Sequence, residues 1–109
     1  MKRAEIWTMA VGPGYASKPR PVVIIQDDAF DETASIIVCL VTSEAIEAPI
    51  LRLPVEPTSD NGLHQTSYLM VDKVVTIPRG RLGLRIGQLG DDDLLRLNRS
   101  LLVFLGLAR

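Results

Sequence analysis

Two segments of this chain place a cation and an alcohol at the ends of apolar runs. In KPRPVVIIQDD, Lys18 to Asp28, Arg20 stands between Pro19 and Pro21, and four β-branched residues, Val22 to Ile25, follow at once. Proline fixes its own φ and restricts the residue before it, so this guanidinium is mounted on stiff backbone. A guanidinium held in one orientation is a fork of donors that can bind two phosphate oxygens together. In SIIVCLVTSE the run ends on Thr42 and Ser43, whose hydroxyls can donate to the same kind of ligand. The plainer reading of Thr42 is a strand-end residue that caps a turn, and that of Arg20 is a surface charge.

Other residues carry chemistry with less definition. Asp72 interrupts the apolar segment SYLMVDKVVTI and is either a site carboxylate or the polar bulge of an edge strand. Arg79, Arg81 and Arg85 share a glycine-rich stretch and form either a phosphate-tracking strip or a set of solvated loop charges. Lys18 and Tyr15 lie in the loop ahead of Arg20, where Tyr15 could stack on a base. Trp7 reads as a core or dimer contact. The single histidine, His64, reads as an exposed turn residue rather than a catalyst. Cys39, the only cysteine, reads as a small buried residue.

The elements that must position these residues are mostly strands. Ala4–Ala10 reads as a first strand. Val11–Pro21 is dense in glycine and proline and reads as a loop. Pro21–Gln26 and Ser35–Thr42 read as strands covered on both faces, with a polar turn at Asp27–Ser35 between them. Ile50–Val55 is a shorter strand, and Glu56–Gly62 is a turn with an Asn-Gly step. Ser67–Val71 and Lys73–Ile77 form one interrupted strand. Leu94, Leu97, Leu101, Phe104 and Leu105 then recur at helical spacing and define one apolar face. Asp91 to Asp93 suit the first turn of that helix, and Gly106 suits a left-handed cap after it. The fold class is mainly β with a C-terminal α-helix, in the form of a small barrel.

The chain has 109 residues, enough for one domain with one core, taken as residues 1–109. Its 12 basic and 13 acidic residues give a net charge of −1, so any anion site must be a local patch. One cysteine and one histidine support neither a disulfide framework nor a Cys-based zinc site, and no cofactor is expected. MKRAEIW has two basic residues with no apolar segment behind them, unlike a signal peptide, and no apolar run nears the roughly 18 residues that span a bilayer. No membrane association is expected, and the cytoplasm is the expected compartment.

KPRPVVIIQDDAF, then CLVTSE, then LMVDKVVTIPRGRLGLRIGQL and a closing helix together resemble the MazF/PemK family of toxins from toxin–antitoxin pairs. The opening RAEIW is similar to that family's first strand, and the likeness covers nearly the whole chain. The resemblance implies an SH3-like barrel of the PemK/CcdB type, usually a homodimer. It implies a metal-independent endoribonuclease that cuts single-stranded RNA at short sequence motifs and is blocked by a cognate antitoxin. The family's catalytic arginine falls on Arg20 and its catalytic threonine on Thr42. Ser43, Asp72, Tyr15, Lys18 and Arg79 are then the candidates for substrate binding. Two departures bear on RNA grip: the compact GPGYASK replaces a longer loop, and Met70 stands where many members have a basic residue.

Such an enzyme lets the RNA's own 2′-hydroxyl attack the adjacent phosphate. The protein must align the oxygens, stabilise the added charge and move protons. Arg20 fits the charge, and Thr42 is a second donor; the base is not assigned by the sequence. Two other functions remain open at this point: a toxin of the same fold that binds a protein such as DNA gyrase, and a non-catalytic RNA- or peptide-binding barrel. An antitoxin is expected to bring an acidic or extended tail to the groove near Arg20 and Arg79–Arg85.

Overall fold

The computed structural model describes residues 1–10, 19–48 and 50–108. Six strands, β1 (Glu5–Ala10), β2 (Pro19–Ile24), β3 (Ser35–Thr42), β4 (Arg52–Val55), β5 (Ser67–Pro78) and β6 (Leu82–Gln88), precede one helix, α1 (Asp91–Phe104). They form one antiparallel sheet in the order β4-β5-β3-β2-β1-β6.

The β-branched runs are buried on both faces because the sheet has a core on each side. Val23 joins Ile6, Cys39, Leu69, Val71, Leu97 and Leu101 on one face. Its neighbours Val22 and Ile24 join Met9, Ile36, Val38 and Ile77 on the other. This alternation is the period-2 geometry of a strand, applied to a run with no polar face.

The expected interruption at Asp72 is a bend within one strand. Between the pairs Cys39–Val74 and Val41–Leu69, β5 carries Met70, Val71, Asp72 and Lys73 while β3 carries Leu40 alone. The excess residues turn β5, so its first half pairs with β4 and its second half runs on along β3. A bulge of this kind bends a sheet sharply. β5 lies between β4 and β3, so the expectation that Asp72 marks an edge strand is corrected.

Curling brings the far end of the sheet round to the β6 edge. The segment between β4 and β5 reaches β6, where the Gln88 N–H donates to the Asp60 carbonyl at 2.9 Å. The approach demands glycine: a Cβ on Gly87 would lie 2.4 Å from the Asn61 carbonyl carbon, and Gly62 adopts φ +70° against Ile86. Arg79–Gly90, the glycine-rich stretch given no strand from its sequence, is thus mostly strand β6. Its glycines permit close contact and do not break the chain there.

Helix α1 begins with Asp91, Asp92 and Asp93 in the first turn, where negative charge opposes the helix dipole favourably. It ends in a Schellman motif: Gly106, at φ +74°, donates to the Val103 carbonyl, and the Leu107 N–H to that of Leu102. Leu97 and Leu101 are buried, but Phe104 and Leu105, expected on the same covered face, remain 48% and 57% exposed. The helix rests mainly on β4 and β5.

Candidate active site

Arg20 and Thr42 lie at the same end of neighbouring strands. Pairing of β2 with β3 runs through Val22–Leu40, Val23–Cys39 and Ile24–Val38. Continuing that register by two residues sets Arg20 opposite Thr42. The ladder stops short of them, at Val22, because Pro19 and Pro21 have no N–H and cannot sustain pairing on both sides of β2. The strands part, and a cleft opens between them.

That cleft has a volume of about 410 Å³, within the range of small-ligand pockets. The ends of β2 and β3 supply Arg20, Thr42 and Ser43 to one wall, and the β4–β5 segment supplies Leu63, His64 and Gln65 to the other. A second, smaller hollow of about 220 Å³ lies behind the same pair. It is lined mainly by apolar side chains, among them Met9, Leu40 and Met70. The Arg20–Thr42 pair therefore borders both a cleft of mixed polarity and an apolar slot.

The turn-capping reading of Thr42 is present in the structure. Its Oγ1 accepts the Glu44 N–H at 3.1 Å, the turn-capping role. Accepting leaves the hydroxyl's own hydrogen available to donate. The Arg20 guanidinium is exposed and has no hydrogen-bond or ion-pair partner among the described residues. Ser43 lies beside Thr42 in the cleft.

The other candidates stand elsewhere. Arg79 lines neither hollow: its guanidinium donates to the carbonyls of Thr33 and Asp31 and faces the Asp31 carboxylate at 3.9 Å, fixing the turn before β3. Arg81 donates to the Ala10 carbonyl at 2.7 Å, and Arg85 pairs with Glu5 at 2.7 Å. All three guanidiniums are thus engaged within the protein.

Asp72 lines neither hollow. It forms an ion pair with Arg52, a buried guanidinium only 9% exposed, and the hydrogen bond from Arg52 holds its carboxyl below the ordinary 3.8. Of the roles open to Asp72, holding a nearby arginine is the one the structure contains. Tyr15 and Lys18 lie outside the described residues.

Trp7 packs on the second core and donates from Nε1 to Glu5 Oε1 at 3.1 Å. Burial pushes the Glu5 carboxyl up, but hydrogen bonds from Lys2, Trp7 and Arg85 outweigh it and hold the group below its usual value. Cys39 is fully buried, which pushes its thiol up to about 12 and leaves it without thiolate character. Among the described residues no group of three His, Cys, Asp or Glu side chains is arranged to hold a metal ion. No described helix is long and apolar enough to cross a membrane.

His64 and Gln65 are the residues that sequence reasoning left out of the site. The signal available was the Asn-Gly step just before them, which marks a turn, together with the tendency of loops to carry recognition.

Comparison with known proteins gives a consistent set of relatives. Residues 2–105 match the family model described as PemK-like, MazF-like toxin of type II toxin–antitoxin system. A probable endoribonuclease MazF of Mycolicibacterium smegmatis is 51% identical over 108 residues, covering 99% of both chains. Endoribonuclease MazF6 of Mycobacterium tuberculosis is 30% identical over 93 residues, 81% of this chain and 82% of that protein. Among solved structures, a mycobacterial endoribonuclease in complex with its cognate antitoxin superposes with a TM-score of 0.81 at 22% identity, covering 100% of this chain and 98% of that one. The Mycobacterium tuberculosis toxin MazF-mt6 superposes with a TM-score of 0.80 at 24% identity, covering 96% and 99%. At those identities the superpositions establish the fold.

Proposed function

Given that the chain belongs to the PemK-like, MazF-like toxins of type II toxin–antitoxin systems and is an endoribonuclease, we propose that it cuts single-stranded RNA at short sequence motifs by 2′-hydroxyl attack, with Arg20 and Thr42 gripping the scissile phosphate. The observation that carries this reading is the placement of the two side chains on one wall of a shared cleft, across from each other in the strand register. The phosphate sits against the Arg20 fork, which binds its two non-bridging oxygens. Charge on these oxygens grows as the 2′ oxygen adds to phosphorus, so the grip tightens in the transition state and lowers the barrier. Thr42 donates to the same group from a hydroxyl already oriented by the Glu44 N–H. None of these steps needs a metal ion.

The apolar slot behind the pair suits the face of a base next to that phosphate, where stacking and exclusion of water select shape. Met70 makes this slot apolar at the position where a basic residue would extend the phosphate grip. A cognate antitoxin would occupy the same cleft with an acidic segment, Arg20 being the described cation it meets. A homodimer is the expected assembly.

The test is cleavage of a synthetic single-stranded RNA in EDTA. Products ending in a 2′,3′-cyclic phosphate and a 5′-hydroxyl are expected, with Arg20→Ala inactive at unchanged thermal stability. Products bearing a 5′-phosphate, or full activity of Arg20→Ala, would refute the mechanism.

A further inference from the structure

Transesterification moves two protons, and neither gripping residue is suited to accept one. Arginine keeps its proton in proteins, and the threonine hydroxyl serves as a donor. No carboxylate lines the cleft among the described residues, and Asp72 is held outside it by Arg52. One side chain of the lining belongs to a type that titrates near neutrality, namely His64.

Its position is built. The segment from Glu56 to Ser67 is braced on both sides of it. On one side Asn61, 1% exposed, accepts the N–H groups of Thr58 and Leu63 at 3.0 Å each and donates to the Glu56 carbonyl at 2.8 Å. On the other, Ser67 Oγ donates to the Gln65 carbonyl at 3.0 Å, and Thr66 Oγ1 donates to the Glu56 carboxylate at 2.9 Å. Between these fixed points His64 is exposed, faces the cleft, and makes no hydrogen bond of its own among the described residues. The fold holds its backbone and leaves its imidazole free, an arrangement suited to a group that works on a ligand.

We propose that His64 is the general base of the cleavage. Its neutral imidazole takes the proton from the 2′-hydroxyl as the O2′–P bond forms and the P–O5′ bond breaks. The departing 5′ oxygen takes its proton from water, and the imidazolium later returns its own to solvent. This rests on the transesterification reading and names its proton acceptor.

The experiment compares wild type, His64→Gln and His64→Ala on an RNA oligonucleotide between pH 5 and 9. A matched substrate carries a sulfur in place of the bridging 5′ oxygen, so that its leaving group needs no proton. His64→Gln is expected to lower kcat by about 10²- to 10⁴-fold with KM changed little. It should also remove whatever titration step wild type shows in kcat/KM between pH 5 and 9. Added imidazole should restore part of the activity of His64→Ala, and the defect should be the same size on the sulfur substrate. Activity of His64→Gln within about threefold of wild type, or a retained titration step, overturns the role of the histidine while leaving cyclic-phosphate formation intact. A defect that vanishes on the sulfur substrate places the residue at the leaving oxygen and overturns its assignment as base. Wild-type products without a cyclic phosphate would instead overturn the transesterification reading itself.

Discussion

Replacing Asn61 by alanine should unlatch one wall of the cleft. The Asn61 side chain makes three hydrogen bonds, to Thr58, Leu63 and Glu56, from a position 1% exposed. Each such bond contributes about 1 kcal/mol net, so the loss is about 3 kcal/mol. Thr58 and Glu56 are exposed, and water can take over part of their bonding; the Leu63 N–H and the space left by the amide pull the other way. Against a total of about 5–15 kcal/mol for a domain, this is a large fraction. With an m-value near 1.5 kcal/mol/M in urea, the unfolding midpoint should drop by about 2 M. The assay is urea unfolding followed by Trp7 fluorescence, alongside RNA cleavage at a temperature where the variant stays folded. Cleavage should fall as well, since Leu63 to Gln65 lose their anchor while Arg20 and Thr42 keep theirs. A midpoint shift below about 0.5 M, or full cleavage by a destabilised variant, would show that the wall does not depend on this latch.

Other outcomes follow from single features. Arg20→Lys should lose most activity although the charge remains, because the planar fork is gone. Thr42→Val should cost about 3 kcal/mol of transition-state stabilisation, roughly 10²-fold in kcat, whereas Thr42→Ser should retain most of it; equal rates for the two variants would remove the hydroxyl from the mechanism. The Asp72 carboxyl sits below its usual 3.8 in the folded chain, so its contribution to stability is complete above that value and disappears as pH falls through the lower folded value. Wild type should therefore lose more stability than Asp72→Asn between about pH 5 and 2, and parallel stability curves would contradict the pairing with Arg52. Gly87→Ala should destabilise by about 1–3 kcal/mol, since its Cβ meets backbone, whereas Gly80→Ala, with nothing within 4 Å, should be silent. RNA affinity of Thr42→Val should fall with salt at a slope near −0.7 to −1.4, the value for one or two phosphates; a slope beyond −3 would require a cationic strip.

What the sequence disclosed and what it concealed divide by distance along the chain. β3 was readable to the residue, because Ser35–Thr42 is an apolar run with polar turns on either side. The helix was readable from its leucine spacing and acidic first turn. Arg20, Thr42 and Ser43 could be placed because two adjacent strands and a proline pair fix them locally. The bonds that Arg79 and Asp72 make could not be read, because their partners, Thr33 and Asp31 in one case and Arg52 in the other, are brought close only by the folded sheet. β6 was concealed by its glycines, which mimic a loop composition but answer to the close approach of Asn61 and Thr8. His64 reaches the cleft only through the latch on Asn61 and the curl of the sheet, neither of which leaves a local pattern.

On the proposed function, the distribution of arginines accounts for how a chain of net charge −1 would hold a polyanion. Arg52, Arg79, Arg81, Arg85 and Arg96 all bond to carboxylates or carbonyls within the protein, where they fix strands and turns. A guanidinium already facing a carboxylate gains little from a phosphate, because the incoming anion meets the partner's charge as well. Arg20 differs in its surroundings: the described walls of its cleft carry hydroxyls, an amide, an imidazole and apolar groups, and no Asp or Glu. Keeping carboxylates out of the cleft raises the local potential without adding cations elsewhere, so attraction is concentrated at one phosphate. On the proposed mechanism such a site would bind RNA weakly as a polymer and rely on alignment at a single linkage, a regime in which base contacts in the adjoining slot, and not charge, would decide where the chain is cut.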